Sequence, residues 1–472
     1  MKALKYFLIG AMVTVTAAPA MAQKIDSQTA IANVKSILAS NAPDKDKQVT
    51  NIAKAFKKDA KTLTAIGREY LSLRNYDKAK EYGDMAVAKN KNCGDAYILL
   101  GDVAVGKNEG GEAAVYYQQA MYMDKTNPEG YRRYAYVMAT SSPEASAQAL
   151  EELRNNLPDY PVDLIAAEIY DNAGKKKEAI AYYEKADRNK MKDYEFVNYL
   201  SDLFFTGDYN KCVEVGTWGA KKFPRNGAVN RLTFYSFTEK KDYDKALYYA
   251  NRLFNESDSV KVLPFDLQYY GHAALGNKDY DKALEVFNKL YEHADANSDA
   301  KEDALKNMAD AFIQKEDYRS AIDTYKKYKS IAKRMSATDY ASYGQAHMLL
   351  GQSLSGDEKV AALKDADAVY AELAEVNPNA IEYAYYQRAR VAGLLDPTSK
   401  EGLSKPHYDK VIEIITSRGD FDSVSKSRLV QAYHYNMAYY LLIKKDTPTA
   451  KSYASKILAL DPDYAPAKQL MK

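Results

Sequence analysis

The chain has 472 residues, 46% of them hydrophobic and 28% charged, so it can bury a large core and is not a disordered tail. Its 66 Lys and Arg stand against 64 Asp and Glu, a net charge of +2. This balance argues against a nucleic-acid-binding protein, which normally carries a clear basic excess. The 42 Tyr, the single Trp and the 14 Pro favour a long helical protein rich in aromatic residues.

The N-terminus has the pattern of a secretory signal peptide. Lys2 and Lys5 give a positive start, residues 6–18 are mostly apolar, and Ala20-Met21-Ala22 supplies two small residues around a cleavage site. We therefore expect a signal peptide over residues 1–22 and export, either to the periplasm of a Gram-negative bacterium or out of the cell. No later stretch approaches the ~18 apolar residues of a membrane span.

Two amphipathic segments, 27–38 and 46–58, come next. Each places apolar residues on one side of a helix, so we expect an N-terminal capping region over residues 23–60. The repeats then extend over 61–464, and a short C-terminal capping helix is expected over 465–472.

A short phrase recurs along the chain. Its copies are Asn75-Tyr76-Asp77-Lys78-Ala79, Asp208-Tyr209-Asn210-Lys211-Cys212, Asp242-Tyr243-Asp244-Lys245-Ala246, Asp279-Tyr280-Asp281-Lys282-Ala283, Asp317-Tyr318-Arg319-Ser320-Ala321 and His407-Tyr408-Asp409-Lys410-Val411. Each copy is expected to open a helix, because an Asp or Asn side chain caps the first free backbone N–H groups. Acidic residues in the first turn also suit the helix dipole.

The last residue of the phrase defines a repeat. Including weaker copies, this small position falls at Ala79, Ala113, Ala147, Ala179, Cys212, Ala246, Ala283, Ala321, Ala366, Val411 and Ala450. The first six are about 34 residues apart, the spacing of an array of helix pairs. A second small residue, such as Gly67 or Gly101, comes twelve positions earlier on the preceding helix, and an aromatic residue often follows four positions later. Two facing small residues allow the paired helices to approach closely.

This pattern resembles the tetratricopeptide repeat family. The residues that carry the resemblance are Gly67, Tyr70, Ala79 and Ala86 in the first repeat, and Leu100, Gly101, Ala113, Tyr117 and Ala120 in the second. The resemblance implies an all-α, right-handed superhelical solenoid of about eleven helix pairs. Three repeats depart from the pattern: the third, 129–160, lacks the late aromatic residue, and the ninth and tenth carry expected loops at 351–359 and 396–406.

Enzyme motifs are absent from the sequence. It contains no Gly-rich nucleotide loop, no His-Glu-x-x-His zinc motif and no Gly-x-Ser-x-Gly nucleophile motif, and its five His are scattered singly. We therefore expect neither catalysis nor a cofactor nor a metal site.

The resemblance also implies where a partner binds, because in this family the first helix of each pair lines a concave groove. The groove residues it implies are Arg132, Tyr136, Phe204, Arg231, Tyr235, Gln268, His272 and Lys306. Exposed Arg and Tyr are favoured at protein interfaces. The alternative is that the Arg and Tyr pairs, spaced i and i+4, pack against the next repeat.

These features predict an exported scaffold that holds a protein or peptide partner in its groove, with an envelope assembly as one setting. A homo-oligomer is also compatible with the sequence. The alternative function is glycan binding, which the 42 Tyr of an exported chain suggest because sugar rings stack on aromatic faces.

Overall fold

The computed structural model describes residues 25–295, 298–419 and 422–472, and every regular element among them is a helix. The predicted signal peptide, 1–22, lies outside the described residues. The chain divides into two compact units, a first unit that ends at Thr206 and a second unit over Gly207–Lys472. No helix of the described ranges combines the length and the apolar character needed to cross a lipid bilayer.

Within the described residues, the first unit holds eleven α-helices. They are α1 (Ser27–Ala39), α2 (Lys45–Ala55), α3 (Ala60–Ser72), α4 (Tyr76–Lys89), α5 (Gly94–Gly106), α6 (Gly110–Met123), α7 (Pro128–Met138), α8 (Pro143–Asn156), α9 (Val162–Asn172), α10 (Lys176–Lys185) and α11 (Asp193–Phe205). Helices α1 and α2 occupy the stretch predicted to cap the array, and α1 packs against α2 and α3.

The described part of the second unit holds fourteen α-helices. They are α12 (Tyr209–Lys222), α13 (Gly227–Glu239), α14 (Tyr243–Asn251), α15 (Pro264–Gly276), α16 (Tyr280–His293), α17 (Asp299–Gln314), α18 (Tyr318–Ile331), α19 (Ala337–Ser353), α20 (Gly356–Val376), α21 (Ile381–Leu395), α22 (Lys405–Arg418), α23 (Ser423–Ala438), α24 (Thr447–Leu460) and α25 (Ala465–Met471). Two π-helical turns, Arg252–Glu256 and Tyr439–Ile443, extend α14 and α23, and a 3₁₀ turn, Pro378–Ala380, precedes α21.

Helices α3 to α24 follow one another as eleven pairs along the chain. Four of these pairs, α3 to α10, lie in the first unit, and six, α13 to α24, lie in the second. Of the fifth pair in chain order, α11 belongs to the first unit and α12 to the second. Within each unit, helices pack chiefly against their neighbours in the chain. The predicted all-α solenoid of about eleven helix pairs is confirmed.

The recurring phrase caps helices as predicted. The side chains of Asn75, Asp242, Asp279 and Asp317 each accept a hydrogen bond from the backbone N–H three residues later, at 3.2, 3.4, 3.1 and 3.2 Å. The copy at His407 is different, because α22 already begins at Lys405. The prediction that His407 opens a helix is therefore wrong.

Aromatic rings cover the small residues of the first helices. The ring of Tyr117 lies against Gly101 so closely that a Cβ would overlap it, and Phe287 covers Gly271 in the same way. In both pairs the aromatic residue is the one four positions after the small residue of the second helix. Glycine is therefore required because a ring, rather than a second small residue, fills the space above it.

The Tyr of the recurring phrase joins consecutive repeats. Tyr76, at the start of α4, lies against Gly106 at the end of α5, and Tyr243, at the start of α14, lies against Gly276 at the end of α15. Both glycines belong to the following repeat. The phrase thus combines a helix cap with a contact between repeats.

The two expected insertions have different structures. Residues 351–359 do not form the predicted loop, because only Leu354 and Ser355 separate α19 from α20. The additional residues lengthen these helices to 17 and 21 residues, and Gly351 packs against Leu363. The second insertion is a loop, which extends from Asp396 to Ser404 between α21 and α22.

The close approach at Gly101 predicts the effect of a single methyl group. Gly101→Ala should lower the free energy of unfolding by about 1–3 kcal/mol, because the new Cβ overlaps the Tyr117 ring. The matched control is Gly111→Ala on α6, where a Cβ meets nothing within 4 Å. The control should be neutral or slightly stabilising, since Ala favours the helix over Gly. Urea unfolding of both variants checks this, and equal stabilities would contradict the packing described.

Candidate functional site

A cavity of about 580 Å³ in the second unit, called here the groove cavity, brings together three consecutive first helices. Its principal side chains are Glu239 on α13, Phe265, Gln268, Tyr269 and His272 on α15, and Gln314 on α17. The cavity is therefore lined chiefly by the first helices of the pairs. Of the predicted groove residues, it contains Gln268 and His272.

The start of α15 determines which residues face the groove cavity. Pro264 occupies the first turn, where its missing N–H is not needed, and the Asp266 carboxylate accepts a hydrogen bond from the Leu263 N–H at 2.8 Å. From this start, Phe265, Gln268 and His272 recur at helical spacing along one side. Gly271 lies under the Phe287 ring, and His272 borders the cavity while also meeting that ring, so packing and groove use adjacent sides of α15.

Aromatic rings form one wall of the groove cavity. Phe265 is 58% exposed, and its ring centroid lies 5.9 Å from that of Tyr269. Tyr269 in turn stacks on Tyr235 at 4.2 Å. Its hydroxyl donates a 2.6 Å hydrogen bond to Glu239, and burial raises the pKa of Tyr269, so the phenol keeps its proton. The wall thus offers an exposed apolar ring supported by a fixed one.

Gln268, His272 and Gln314 are neutral polar members of the groove cavity. Among the described residues, the side-chain amides of Gln268 and Gln314 have no hydrogen-bond partner. Burial lowers the pKa of His272, whose ring lies edge-to-face 5.6 Å from Phe287, so it is neutral at pH 7. Two amides, each with donors and an acceptor, therefore border the cavity without an internal role.

Arg231 and Tyr235 have a different role from the one predicted, because they hold two repeats together. Arg231 donates to both oxygens of Asp266, at 2.6 and 2.9 Å, and the Tyr235 hydroxyl donates to the same carboxylate at 2.6 Å. Tyr235 is only 6% exposed and Asp266 is fully buried. The expectation that Tyr235 is an exposed interface residue is wrong, and the alternative, packing against the next repeat, describes it.

Arg132 and Tyr136 lie together in the first unit, at a smaller cavity of about 350 Å³. Tyr136 is 42% exposed, and its hydroxyl donates to Glu168 of the next repeat at 3.2 Å. Arg132 donates to both oxygens of Glu129, at 3.1 and 2.8 Å. Both side chains are accessible, but each already has an internal partner.

The remaining two predicted residues lie outside the groove cavity. The Phe204 ring is half-buried and meets Phe205 edge-on at 5.6 Å. Lys306 forms an ion pair with the buried Asp339 at 3.2 Å, and Tyr328 donates to the same carboxylate at 3.0 Å. Lys306 therefore pairs with a buried carboxylate of the following repeat, as Arg231 does with Asp266.

Sequence reasoning missed Glu239, Phe265, Tyr269 and Gln314, since it considered only two positions on each first helix. The start signal of α15 was available as Pro264 followed by Asp266, and it would have placed Phe265 and Tyr269 one turn apart. No group of three or more His, Cys, Asp or Glu in the described part of the chain is arranged to hold a metal ion.

Residues 64–128 and 164–190 each match the tetratricopeptide repeat family. These segments are similar to tetratricopeptide repeats. They include the pairs α3 with α4, α5 with α6, and α9 with α10. Tetratricopeptide repeat proteins generally serve as scaffolds for protein–protein interaction.

No curated protein sequence matches the chain. A solved structure of the C-terminal part of a TPR repeat-containing protein from Cytophaga hutchinsonii is 24% identical, covering 58% of this chain and 99% of that one, with a TM-score of 0.49. The structure of Pseudomonas aeruginosa pilF is 21% identical, covering 43% and 95%, with a TM-score of 0.32. A tetratricopeptide repeat protein from Parabacteroides merdae is 15% identical, covering 53% and 98%, with a TM-score of 0.31.

The buried carboxylate of Asp266 predicts a large effect on stability. Asp266→Ala should lower the free energy of unfolding by about 3–5 kcal/mol, because it leaves the mostly buried Arg231 and the Tyr235 hydroxyl without their partner. The matched control is Asp258→Ala, which removes an exposed carboxylate paired with the exposed Arg225. The control should melt like the wild type, since exposed ion pairs contribute little. Thermal unfolding followed by circular dichroism measures both, and similar losses in the two variants would contradict this assignment.

Proposed function

We propose that the chain is an exported, non-catalytic scaffold whose groove cavity binds an extended segment of a partner protein. The observation that carries this proposal is the pair of unpartnered amides, Gln268 and Gln314, beside the exposed ring of Phe265. Gln314 is exposed and Gln268 is half-buried, so water can pair with both amides in the free protein, and a ligand that offers a donor and an acceptor can replace that water.

An extended peptide has the chemistry that these groups can satisfy. Its backbone presents one N–H and one C=O per residue, and a glutamine amide can pair with both. The ring of Phe265 offers an apolar contact for a side chain of the peptide, with Tyr269 fixed behind it. A volume of about 580 Å³ lies within the range of cavities that take a ligand of a few residues.

The charges around the groove cavity favour an uncharged side chain at its centre. Glu239 is engaged by the Tyr269 hydroxyl, Lys241 lies exposed at the border, and His272 is neutral. A binding site for a C-terminal carboxylate would need several cations facing inward. We therefore expect an internal peptide segment with an aromatic or aliphatic residue, and not a chain terminus.

Export is part of the proposal and is supported by the sequence alone. Lys2, Lys5, the apolar stretch and Ala20-Met21-Ala22 favour a cleaved signal peptide, which would place the scaffold in the periplasm or outside the cell, with an envelope assembly as its setting. The N-terminal residue of the protein purified from its native cells tests this. Gln23 would support cleavage, and an N-terminus at Met1 would contradict it.

Glycan binding is the second candidate, and the exposed ring of Phe265 is the feature that favours it. The abundance of Tyr does not add support, because the rings of Tyr70, Tyr131, Tyr325 and Tyr370 are among the largest fully buried side chains. A glycan array with the wild type and with Phe265→Ala separates the two functions. Glycan binding that Phe265→Ala abolishes would place a glycan in the groove cavity, and the peptide proposal predicts none.

Substitutions in the groove cavity should weaken peptide binding without unfolding the protein. A peptide selected from a random display library should lose at least about tenfold in affinity with Phe265→Ala and with Gln268→Ala, because these remove the apolar contact and one amide. The matched control is Tyr248→Ala, which truncates a ring that is equally exposed, at 58%, and does not border the cavity. Calorimetry measures affinity and circular dichroism checks the fold. Equal affinities for all three variants would contradict the site.

A further inference from the structure

A second cavity in the second unit lies beneath the loop that joins α21 to α22. This loop cavity has a volume of about 300 Å³ and is bordered by side chains of α19, α21, α22, α23 and the loop. Its polar members are Gln352, Arg390, Asp396, Ser399, Ser404, Tyr408 and Tyr435. It is separate from the groove cavity, with which it shares no residue.

The loop has a defined conformation and forms one wall of the cavity. The buried Asp396 accepts hydrogen bonds from the N–H groups of Gly402 at 2.8 Å and Leu403 at 3.4 Å. The Ser404 hydroxyl donates to the Ala389 carbonyl at 2.8 Å. Gly402 has a φ of +70° and lies against the Tyr439 ring, so a side chain there would be strained and would overlap that ring. The insertion therefore builds a wall and not a loose connection.

The Tyr435 hydroxyl is the first group in the loop cavity that points to a ligand. It is shielded from solvent, and although the Ser399 and Ser404 hydroxyls lie near it, neither reaches it with the geometry of a hydrogen bond. Leaving a buried hydroxyl unpaired destabilises a protein, and such groups in native structures usually meet a bound water or ligand. Tyr435 borders the cavity, so a bound molecule there can accept from or donate to this hydroxyl.

Arg390 is the second such group. It is exposed, and its one hydrogen bond to a described residue goes from Nη1 to the Gln387 amide oxygen at 3.0 Å. Within the described ranges it forms no ion pair with a carboxylate. A guanidinium has five N–H donors in a planar fork that matches a carboxylate, so most of its donors are available to an anion.

The remaining walls suit a small ring with hydroxyl groups. The rings of Tyr408 and Tyr435 lie 5.1 Å apart with an angle of 36° between their planes, and offer an aromatic surface. Burial raises the pKa of Tyr408 to about 12, so its hydroxyl stays protonated and can both donate and accept. The Gln352 amide has no hydrogen-bond partner in the described part of the chain.

We propose that the loop cavity binds a small molecule with one carboxylate and several hydroxyl groups on a ring, of the class of the uronic acids. Arg390 holds the carboxylate, and the Tyr435 hydroxyl and the Gln352 amide bind ring hydroxyls. The face of the ring lies against the aromatic surface of Tyr408 and Tyr435. A volume of about 300 Å³ admits one such ring and excludes a folded partner or a long peptide. This inference does not depend on the peptide proposal.

Calorimetric titration of the full chain with four probes tests the ligand class. Glucuronate and galacturonate should bind saturably, whereas glucose, which lacks the carboxylate, and propionate, which lacks the hydroxyls, should bind at least about tenfold more weakly. No saturable binding of either uronate would overturn the proposal. If glucose binds as tightly as the uronates, the proposed recognition of the carboxylate is wrong. If propionate binds as tightly, the proposed recognition of the ring hydroxyls is wrong.

Two variants connect binding to the named residues. Tyr435→Phe should weaken uronate binding about tenfold while the melting temperature of the free protein stays the same or rises, because no internal hydrogen bond is lost. Arg390→Gln should abolish the preference for uronate over glucose. The control Tyr453→Phe, on α24 and outside the cavity, should change neither. A lower melting temperature for Tyr435→Phe, or unchanged binding in both variants, would overturn the assignment.

Discussion

The structure depends on the close approach of two helices at a residue without a side chain. In the second unit, Phe287 lies over Gly271 and fixes which side of α15 faces its pair. An adjacent side, with Phe265, Gln268 and His272, borders a cavity, and of these three His272 also meets the Phe287 ring edge-on. The same contact that holds the pair together therefore determines which side chains a partner can reach.

Buried carboxylates make the second set of contacts, those between repeats. Asp266 accepts hydrogen bonds from Arg231 and Tyr235 of the preceding repeat, and Asp339 pairs with Lys306 in the same way. A carboxylate removed from water has a strong requirement for such donors, so these pairs fix the position of one repeat relative to the next. They also occupy the cations that a partner would otherwise use, which leaves the groove cavity nearly neutral.

Local features of the chain were predictable and distant ones were not. Helix positions and the caps at Asp242 and Asp279 follow from residues a few positions apart. The burial of Tyr235 depends on Asp266, 31 residues later, and no local pattern shows that this carboxylate meets an Arg and a Tyr. Spacing alone also could not distinguish a loop from longer helices in the ninth repeat, since both add residues between small positions.

Site-specific photocrosslinking in the native cells tests the central claim, that the groove cavity is where a partner segment binds. A photoreactive residue is placed at Gln268, which borders the cavity, and in a second strain at Tyr248, which does not. The account predicts that Gln268 crosslinks to one continuous segment of one partner protein, identified by mass spectrometry, and that Tyr248 does not. Crosslinks from both positions to the same segment, or none from Gln268, would contradict it.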